Sequence, residues 1–159
     1  MGRSNVKAPA LDSATVEVRL GSAYPDEFKS VTEGREKRGL GDVAGLSHFG
    51  VNLVRLKPGA ASALRHWHLH EDEFVYVLEG EVTLVTDAGE QVLTPGLAAG
   101  FPAGQQDGHN LVNKSGKDAV YLEIGDRHPA EEVHYPDVDL KGGRVDGVFA
   151  FTRKDGSAV

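Results

Sequence analysis

The sequence predicts an all-β fold, a sandwich or barrel of short strands, on three observations. From residue 49 onward, apolar or alternating stretches recur at regular spacing with turn signals between them. The chain has 20 glycines and seven prolines, which fit a layout rich in turns. Its tail shows no helical period. With 159 residues, of which 40% are hydrophobic, the chain is long enough for one domain with a sizeable core.

The elements follow in order along the chain. Residues 14–20 alternate between apolar and polar side chains and predict a strand. Residues 24–28 predict a turn, and residues 33–42, which include the run REKR, predict a charged loop broken by glycines. Further strands, each ending near glycine, proline or a polar turn, are predicted at 49–56, 73–79, 82–86, 91–94, 97–101, 109–113 and 119–125, with one late strand at 148–152.

The composition and charge of the chain limit which domain organisation and which partners we expect. Residues 1–12 predict a flexible arm and residues 13–159 a single domain, with a barrel core at about residues 48–125. The net charge is −7 without a long basic run, so we expect no nucleic-acid partner. No stretch has the length of a membrane span, and we expect a cytoplasmic protein. The chain has no cysteine, so nitrogen and oxygen must hold any metal.

The stretch RHWHLHEDEF, residues 65–74, contains three of the seven histidines. Side chains of a strand alternate between its faces, so His66 and His68 share a face and can chelate one ion. Glu73 lies an odd number of residues from His68. It joins the pair only if the chain turns between them and Glu73 opens a strand beside the first. The pattern therefore predicts two imidazoles and one carboxylate from neighbouring strands.

His109 is the best candidate for a fourth ligand, because it follows a glycine-rich bend at residues 101–108 and begins an apolar strand. Imidazole and carboxylate ligands suit a single divalent transition metal such as Zn, Fe, Mn or Ni. Three histidines and one glutamate leave open positions on a five- or six-coordinate metal. Substrate, water or dioxygen binds at such positions.

The stretch from Gly59 to Asn113 resembles the cupin superfamily in two motifs. The first motif is a glycine, then HxH, a glutamate and a glycine, and it is matched by Gly59, His66, His68, Glu73 and Gly80. The second motif is a glycine, then P-x-G, a histidine and an asparagine, and it is matched by Gly96, Pro102, Gly104, His109 and Asn113.

The resemblance implies a cupin-type double-stranded β-helix, that is, a jelly-roll barrel, with a metal inside one end. All four of the family's ligand positions are occupied, by His66, His68, Glu73 and His109. The whole chain is also similar to single-domain bacterial cupins of unassigned function, some of which are described by analogy as sugar-phosphate isomerases.

Other interpretations of these residues stay open. The four candidate ligands could line a polar barrel interior that holds no metal. His70 is expected at the rim and not as a ligand, since the strand ends there. Trp67 is expected to point away from the site, and Phe74 to lie in a core between sheets or subunits. Arg55 and Arg65 are expected at the surface, although either could meet an anionic substrate.

The sequence therefore favours a metal-binding enzyme for a small polar or carbonyl-containing metabolite, of the isomerase or dioxygenase type. In such an enzyme the metal polarises a substrate oxygen or binds dioxygen. The alternative is a non-catalytic cupin that binds a small molecule. A homodimer is expected, because the apolar outer strands of a small barrel need cover.

Overall fold

The computed structural model describes residues 6–159. Within that range the chain forms 13 β-strands, one short helix, α1 (Leu40–Val43), and two 3₁₀ helices, Ser13–Thr15 and Asp26–Thr32. The strands are β1 (Arg19–Leu20), β2 (Arg35–Gly39), β3 (Phe49–Leu56), β4 (Trp67–His68), β5 (Glu73–Glu79), β6 (Val82–Thr86), β7 (Gly89–Leu93), β8 (Ala98–Phe101), β9 (Asn110–Val112), β10 (Ala119–Asp126), β11 (Glu132–Tyr135), β12 (Leu140–Val145) and β13 (Val148–Thr152).

The strands form two layers in which neighbouring strands are antiparallel. One layer is a six-stranded sheet in the order β1-β2-β3-β10-β5-β8. The other joins two smaller sheets, β13-β12-β11-β4 and β7-β6-β9, through backbone bridges between Ala61 and Val112 and between His66 and His109. These two layers enclose the interior of the barrel. The all-β jelly-roll barrel that the sequence predicts is confirmed.

The main core lies between the two layers and is built from the inward side chains of alternating strands. Its fully or nearly fully buried members include Val54, Leu56, Val75, Val77, Val82, Leu84, Leu93, Leu111 and Tyr121. A second cluster, Tyr24, Val133, Tyr135 and Leu140, closes the side of β11 and β12. Burying aliphatic and aromatic side chains contributes about 1.5–3 kcal/mol each, which makes this core the main source of stability.

On the inner face of the six-stranded sheet, the side chains change from apolar in the core to polar near the mouth of the barrel. Val77, Tyr121 and Val54 lie side by side in one row, two residues further into the barrel than Val75 and Glu123. The next row toward the mouth contains Glu73 of β5, opposite Gly125 of β10 and Gly50 of β3. Because the two glycines carry no side chain, the register leaves open space beside Glu73.

Four strands are confirmed at their predicted bounds, namely 49–56, which alternates between apolar and polar residues, and 73–79, 82–86 and 148–152, which are rich in β-forming residues. The strand predicted at 14–20 is wrong for most of its length, because a 3₁₀ helix at Ser13–Thr15 precedes a strand of only two residues, β1. The charged loop predicted at 33–42 is also wrong. It forms β2 and α1, and its basic side chains Arg35 and Lys37 donate to the carbonyl oxygen of Ser62 and to Glu123 on β10.

Strands β11 and β12 were not predicted, because β11 alternates over only four residues and β12 contains two glycines. They extend the second layer beyond residues 48–125. Of the predicted arm, residues 1–5 lie outside the described residues and residues 6–10 are exposed; its flexibility stays a prediction. No helix among residues 6–159 is long and apolar enough to cross a membrane. The cytoplasmic location stays a prediction.

Phe74 does not lie in a core between the sheets, because it projects from the outer face of the six-stranded sheet and is 42% exposed. Its inward neighbour along β5 is Val75, which is 1% exposed. Tyr76 and Leu78 share the outer face with Phe74 and are also exposed. Large apolar side chains in this arrangement are typical of a surface that a partner covers.

We predict that this outer face makes the expected homodimer. Light scattering should give about twice the 17.0 kDa chain mass. Phe74→Glu combined with Tyr76→Glu should give a monomer with an unchanged far-UV circular dichroism spectrum, because charges in an apolar interface are not solvated. A monomeric wild-type protein would contradict the prediction.

Candidate metal centre

Three imidazoles converge on one carboxylate oxygen inside the barrel. Oε2 of Glu73 lies 3.0 Å from Nε2 of His68, 3.2 Å from Nε2 of His109 and 3.5 Å from Nε2 of His66. All four side chains are largely buried, with 4–19% exposed. The structure therefore brings together every residue that the sequence nominated as a ligand.

Both layers of the barrel contribute to this cluster. His68 lies on β4, which pairs with β11, and the backbone of His66 is bonded to that of His109 just before β9. Glu73 opens β5 in the opposite sheet. The expectation that the strand of Glu73 lies beside that of His68 is wrong, because β5 pairs with β10 and β8. The chain crosses from one layer to the other between His68 and Glu73.

Oε2 of Glu73 is spaced from each of the three nitrogens as one ligand is from its neighbours in a coordination shell. Metal–nitrogen and metal–oxygen bonds of about 2.1 Å place neighbouring ligands about 3.0 Å apart in an octahedron and about 3.4 Å apart in a tetrahedron. The three nitrogens lie 3.0–3.5 Å from Oε2 of Glu73. The candidate ligand atoms of His66, His68 and Glu73 lie within 4.8 Å of one another, so this cluster could bind a metal ion.

The tautomer of His66 also favours a cation at this point. Nδ1 of His66 lies 2.8 Å from the backbone carbonyl oxygen of Leu64, which only accepts, so Nδ1 carries the proton. In the neutral ring, Nε2 then presents a lone pair to the carboxylate of Glu73. Two acceptors that face each other repel, and a shared cation removes that repulsion. The donor set thus fits a divalent transition metal.

Burial and neighbouring charges shift the pKa values of the candidate ligands. Burial raises the pKa of Glu73, but the contacts of its carboxylate with His109, His66 and His68 outweigh burial and keep that pKa well below its usual 4.5. Burial lowers the pKa of His109 below 6.5, so its ring is neutral at neutral pH. Burial also lowers the pKa of His68, but Glu73 and Glu131 more than offset it and raise that pKa above 6.5. Metal binding at His68 therefore releases a proton in acidic solution.

His109 is oriented by packing. Its ring stacks on that of Phe101, with centroids 3.5 Å apart and planes 1° apart. Phe101 lies beside Glu73 across the β5–β8 pair. Strand pairing therefore positions the carboxylate of Glu73 next to the ring that orients the imidazole of His109. Within residues 6–159, Nδ1 of His109 has no hydrogen-bond partner.

A cavity of about 440 Å³ opens above the cluster. Lys37, Asn52 and Glu123 line its wall beside the candidate ligands. Nζ of Lys37 and Nδ2 of Asn52 donate to Oε1 of Glu123 over 2.6 and 3.2 Å. Sequence reasoning missed these three residues as parts of the site. The signal that could have found Glu123 is a charge at an inward position of the apolar strand 119–125.

Residues that were not expected as ligands lie away from the cluster. His70 is exposed and stacks on His128, with ring centroids 4.7 Å apart. Trp67 points away from the interior, as expected, and stacks on His134. Arg55 and Arg65 both form ion pairs with exposed carboxylates. The expected surface position is confirmed for Arg55, which is 39% exposed, but Arg65 is only 18% exposed and also donates to the carbonyl oxygen of Gly108.

We predict that purified protein binds about one transition metal per chain, because one set of nitrogen and oxygen ligands converges at one point. The double variant His66→Ala/His68→Ala should lose the metal, as measured by elemental analysis of untagged protein prepared without chelator. His70→Ala/His128→Ala is the matched control, since it removes two neighbouring imidazoles outside the cluster. Retention of metal by the first variant, or its loss from the control, would contradict the assignment.

Comparison with known proteins shows which family the chain resembles. Residues 52–125 match the Cupin domain family, Cupin_2. A crystal structure of a sugar phosphate isomerase from a cupin superfamily, from Silicibacter pomeroyi, is 49% identical, with 95% of this chain and 96% of that chain covered and a TM-score of 0.91. A putative sugar phosphate isomerase from Acidithiobacillus ferrooxidans is 28% identical over 95% of this chain and 96% of that chain, with a TM-score of 0.78.

The polyketide cyclase RemF from Streptomyces resistomycificus is 23% identical over 81% of this chain and 85% of that chain, with a TM-score of 0.66, and is similar in fold alone. No curated protein matches the sequence significantly. The family match, the close structural relative and the jelly-roll barrel agree, and the chain belongs to the cupin superfamily.

Proposed function

We propose that the protein is a metal-dependent isomerase for a small polar metabolite with a carbonyl group, and that phosphorylated sugars are the first substrates to test. The observation that carries the proposal is a metal-type cluster of His66, His68 and Glu73, which His109 joins through its contact with Glu73. The cluster lies in a cavity that also contains a half-buried ion pair, Lys37 with Glu123. The cluster supplies a place to polarise a substrate oxygen. The ion pair supplies a group for proton transfer.

A divalent metal held by the three histidines and Glu73 supplies Lewis-acid polarisation of a substrate carbonyl. The four side chains fix its position, because each comes from a paired strand or an adjoining bonded segment of the barrel. The cavity above them, at about 440 Å³, has the volume of a small-molecule site.

An isomerase also needs a base, and Glu73 cannot serve while it holds the metal. Glu123 has the right position for this role. It lies diagonally next to Glu73 on the inner face of the same sheet, since Glu123 pairs with Val75 and Gly125 pairs with Glu73. Lys37 and Asn52 both hold Oε1 of Glu123, and in residues 6–159 no group donates to its Oε2.

In an aldose–ketose interconversion, a C–H bond breaks beside the carbonyl and a new one forms at the carbonyl carbon. The hydroxyl proton passes between the two oxygens. We assign the carbon proton to Oε2 of Glu123, which removes it from one carbon and returns it to the next. A positioned carboxylate of this kind contributes a factor of about 10²–10⁴ to the rate.

Two observations support a phosphorylated substrate. The relatives with 49% and 28% identity are described as a sugar phosphate isomerase and a putative one. In the lining of the cavity, Arg19 and Arg127 share one carboxylate, that of Asp42. Paired guanidinium groups suit a phosphate, because their planar donors bind two of its oxygens at once.

The alternative function is non-catalytic binding of a small molecule, for which the cavity alone would suffice. A dioxygenase would use the same metal ligands but has no need of a proton-transfer pair such as Lys37 and Glu123. Solvent exchange at carbon separates these functions, because only the isomerase exchanges a carbon-bound proton with water.

We predict that the metal-loaded protein incorporates deuterium from D₂O into at least one member of a panel of pentose and hexose phosphates, as measured by NMR. Glu123→Gln should lower this exchange by about 10²–10⁴-fold with the metal content unchanged. Glu36→Gln is the matched control, because Glu36 is ion-paired on β2 of the same sheet and lies outside the cavity.

Equal exchange by the wild type and Glu123→Gln would remove Glu123 from the mechanism. Binding of a panel compound in calorimetry, without exchange or turnover, would replace the isomerase with the binding function.

A further inference from the structure

Glu131 is a buried carboxylate immediately before β11, behind the candidate metal centre. It is 2% exposed, and no carboxylate among residues 6–159 is less exposed. A buried charge is costly unless hydrogen bonds and opposite charges compensate for it. The reaction assigned above makes no use of Glu131, so its burial needs a separate reason.

Two backbone amides hold Glu131 in one orientation. The N–H of Leu69 is shared between Oε1, over 3.0 Å, and the carbonyl oxygen of Glu132, over 2.9 Å. The N–H of His70 donates to Oε2 over 3.3 Å. These amides belong to the two residues directly after His68. The carboxylate is therefore fixed by the same short segment that carries a candidate ligand.

The free nitrogen of His68 faces this carboxylate. Nε2 of His68 points to Glu73, while Nδ1 lies 3.6 Å from Oε1 of Glu131. Nδ1 is buried and has no hydrogen-bond partner among the described residues. A neutral imidazole carries its proton on one nitrogen, and a carboxylate beside Nδ1 favours the proton there. The lone pair of Nε2 is then directed into the centre.

His66 shows the same arrangement with a different acceptor, since its Nδ1 donates to the carbonyl oxygen of Leu64. A carboxylate outside the shell also makes the ring that it contacts a better metal ligand than a carbonyl does, because it stabilises the positive charge that develops on the ring. Of the two histidines in the HxH pair, His68 is therefore the one whose metal affinity a neighbouring carboxylate, that of Glu131, can raise.

We propose that Glu131 is a positioning residue of the metal centre: it fixes the Nδ1–H tautomer and the ring orientation of His68, and so raises metal affinity. The inference rests on the metal site of the proposed function. It concerns binding alone and is independent of the substrate and of Glu123.

The test compares the metal affinity of Glu131→Gln with that of the wild type, by zinc and nickel titration against a competing chelator. The expected result is a loss of about 10–100-fold in affinity with one metal per chain retained. Glu132→Gln is the matched control, because it removes the charge of the next residue, which pairs with Lys141 and His134 instead. Its affinity should equal that of the wild type.

Two results would overturn the proposal. One is unchanged affinity in folded Glu131→Gln. The other is a fall from two metals per chain to one, since ligand atoms of His68, Glu71 and Glu131 also lie within 4.8 Å of one another and Glu131 would then be a ligand itself. A wild-type protein that binds no metal would instead reject the metal site of the proposed function, and this inference with it.

Glutamine has one acceptor for the two amides, so thermal unfolding of the metal-free variant must be measured in parallel. If that variant does not fold, ring nitrogen-15 NMR of the zinc-loaded wild type decides the question. The expected spectrum shows a protonated Nδ1 of His68, with a nuclear Overhauser effect from that proton to the methylene groups of Glu131. Zinc bound through Nδ1 of His68 would contradict the proposal.

Discussion

The contact of three imidazoles with Oε2 of Glu73 is the interaction on which the interior of this barrel depends. It is a polar contact between the two layers, and it lies where the apolar core ends. Each layer is tied to it by its own backbone pairing, β5 with β10 on one side and His66 with His109 on the other. The register of the paired strands therefore determines the geometry of the site.

The same register places the apolar residues that stabilise the fold and the polar residues of the site at different depths along the barrel axis. Residues such as Val54, Val77 and Tyr121 are 0% exposed and form an apolar floor. One row nearer the mouth lies Glu123, and the row after that contains Glu73 beside two glycines. A charged group near the mouth keeps some water and has ion partners, so it costs less than it would on the floor. This explains how one small core can hold a reactive cluster and remain stable.

The sequence was informative where local patterns determine structure. Strand β3 alternates between apolar and polar residues, β5 and β6 are rich in β-forming residues, and a turn with glycine or proline follows each of the three. The four candidate ligands belong to short motifs. Strand β2 was mistaken for a loop because Arg35 and Lys37 look solvated. In the structure Arg35 donates to the carbonyl oxygens of Gly21 and Ser62, and Lys37 donates to Glu123, which is 86 residues away.

Partners at such separations leave no local pattern, and Glu131 was missed for the same reason. It binds amides 61 and 62 residues earlier in the chain. The layer to which Glu73 belongs was also mispredicted, since a turn between two strands does not reveal whether the second strand pairs with the first or crosses the barrel.

The most direct test of the metal centre is a crystal structure of the metal-loaded protein with anomalous diffraction measured at the edge of the bound metal. The expected result is one anomalous peak per chain, at bonding distances of about 2.0–2.2 Å from Nε2 of His66, His68 and His109 and from a carboxylate oxygen of Glu73. A peak held instead by Glu71 and Glu131, with His66 and His109 not bonded to it, would contradict the assignment.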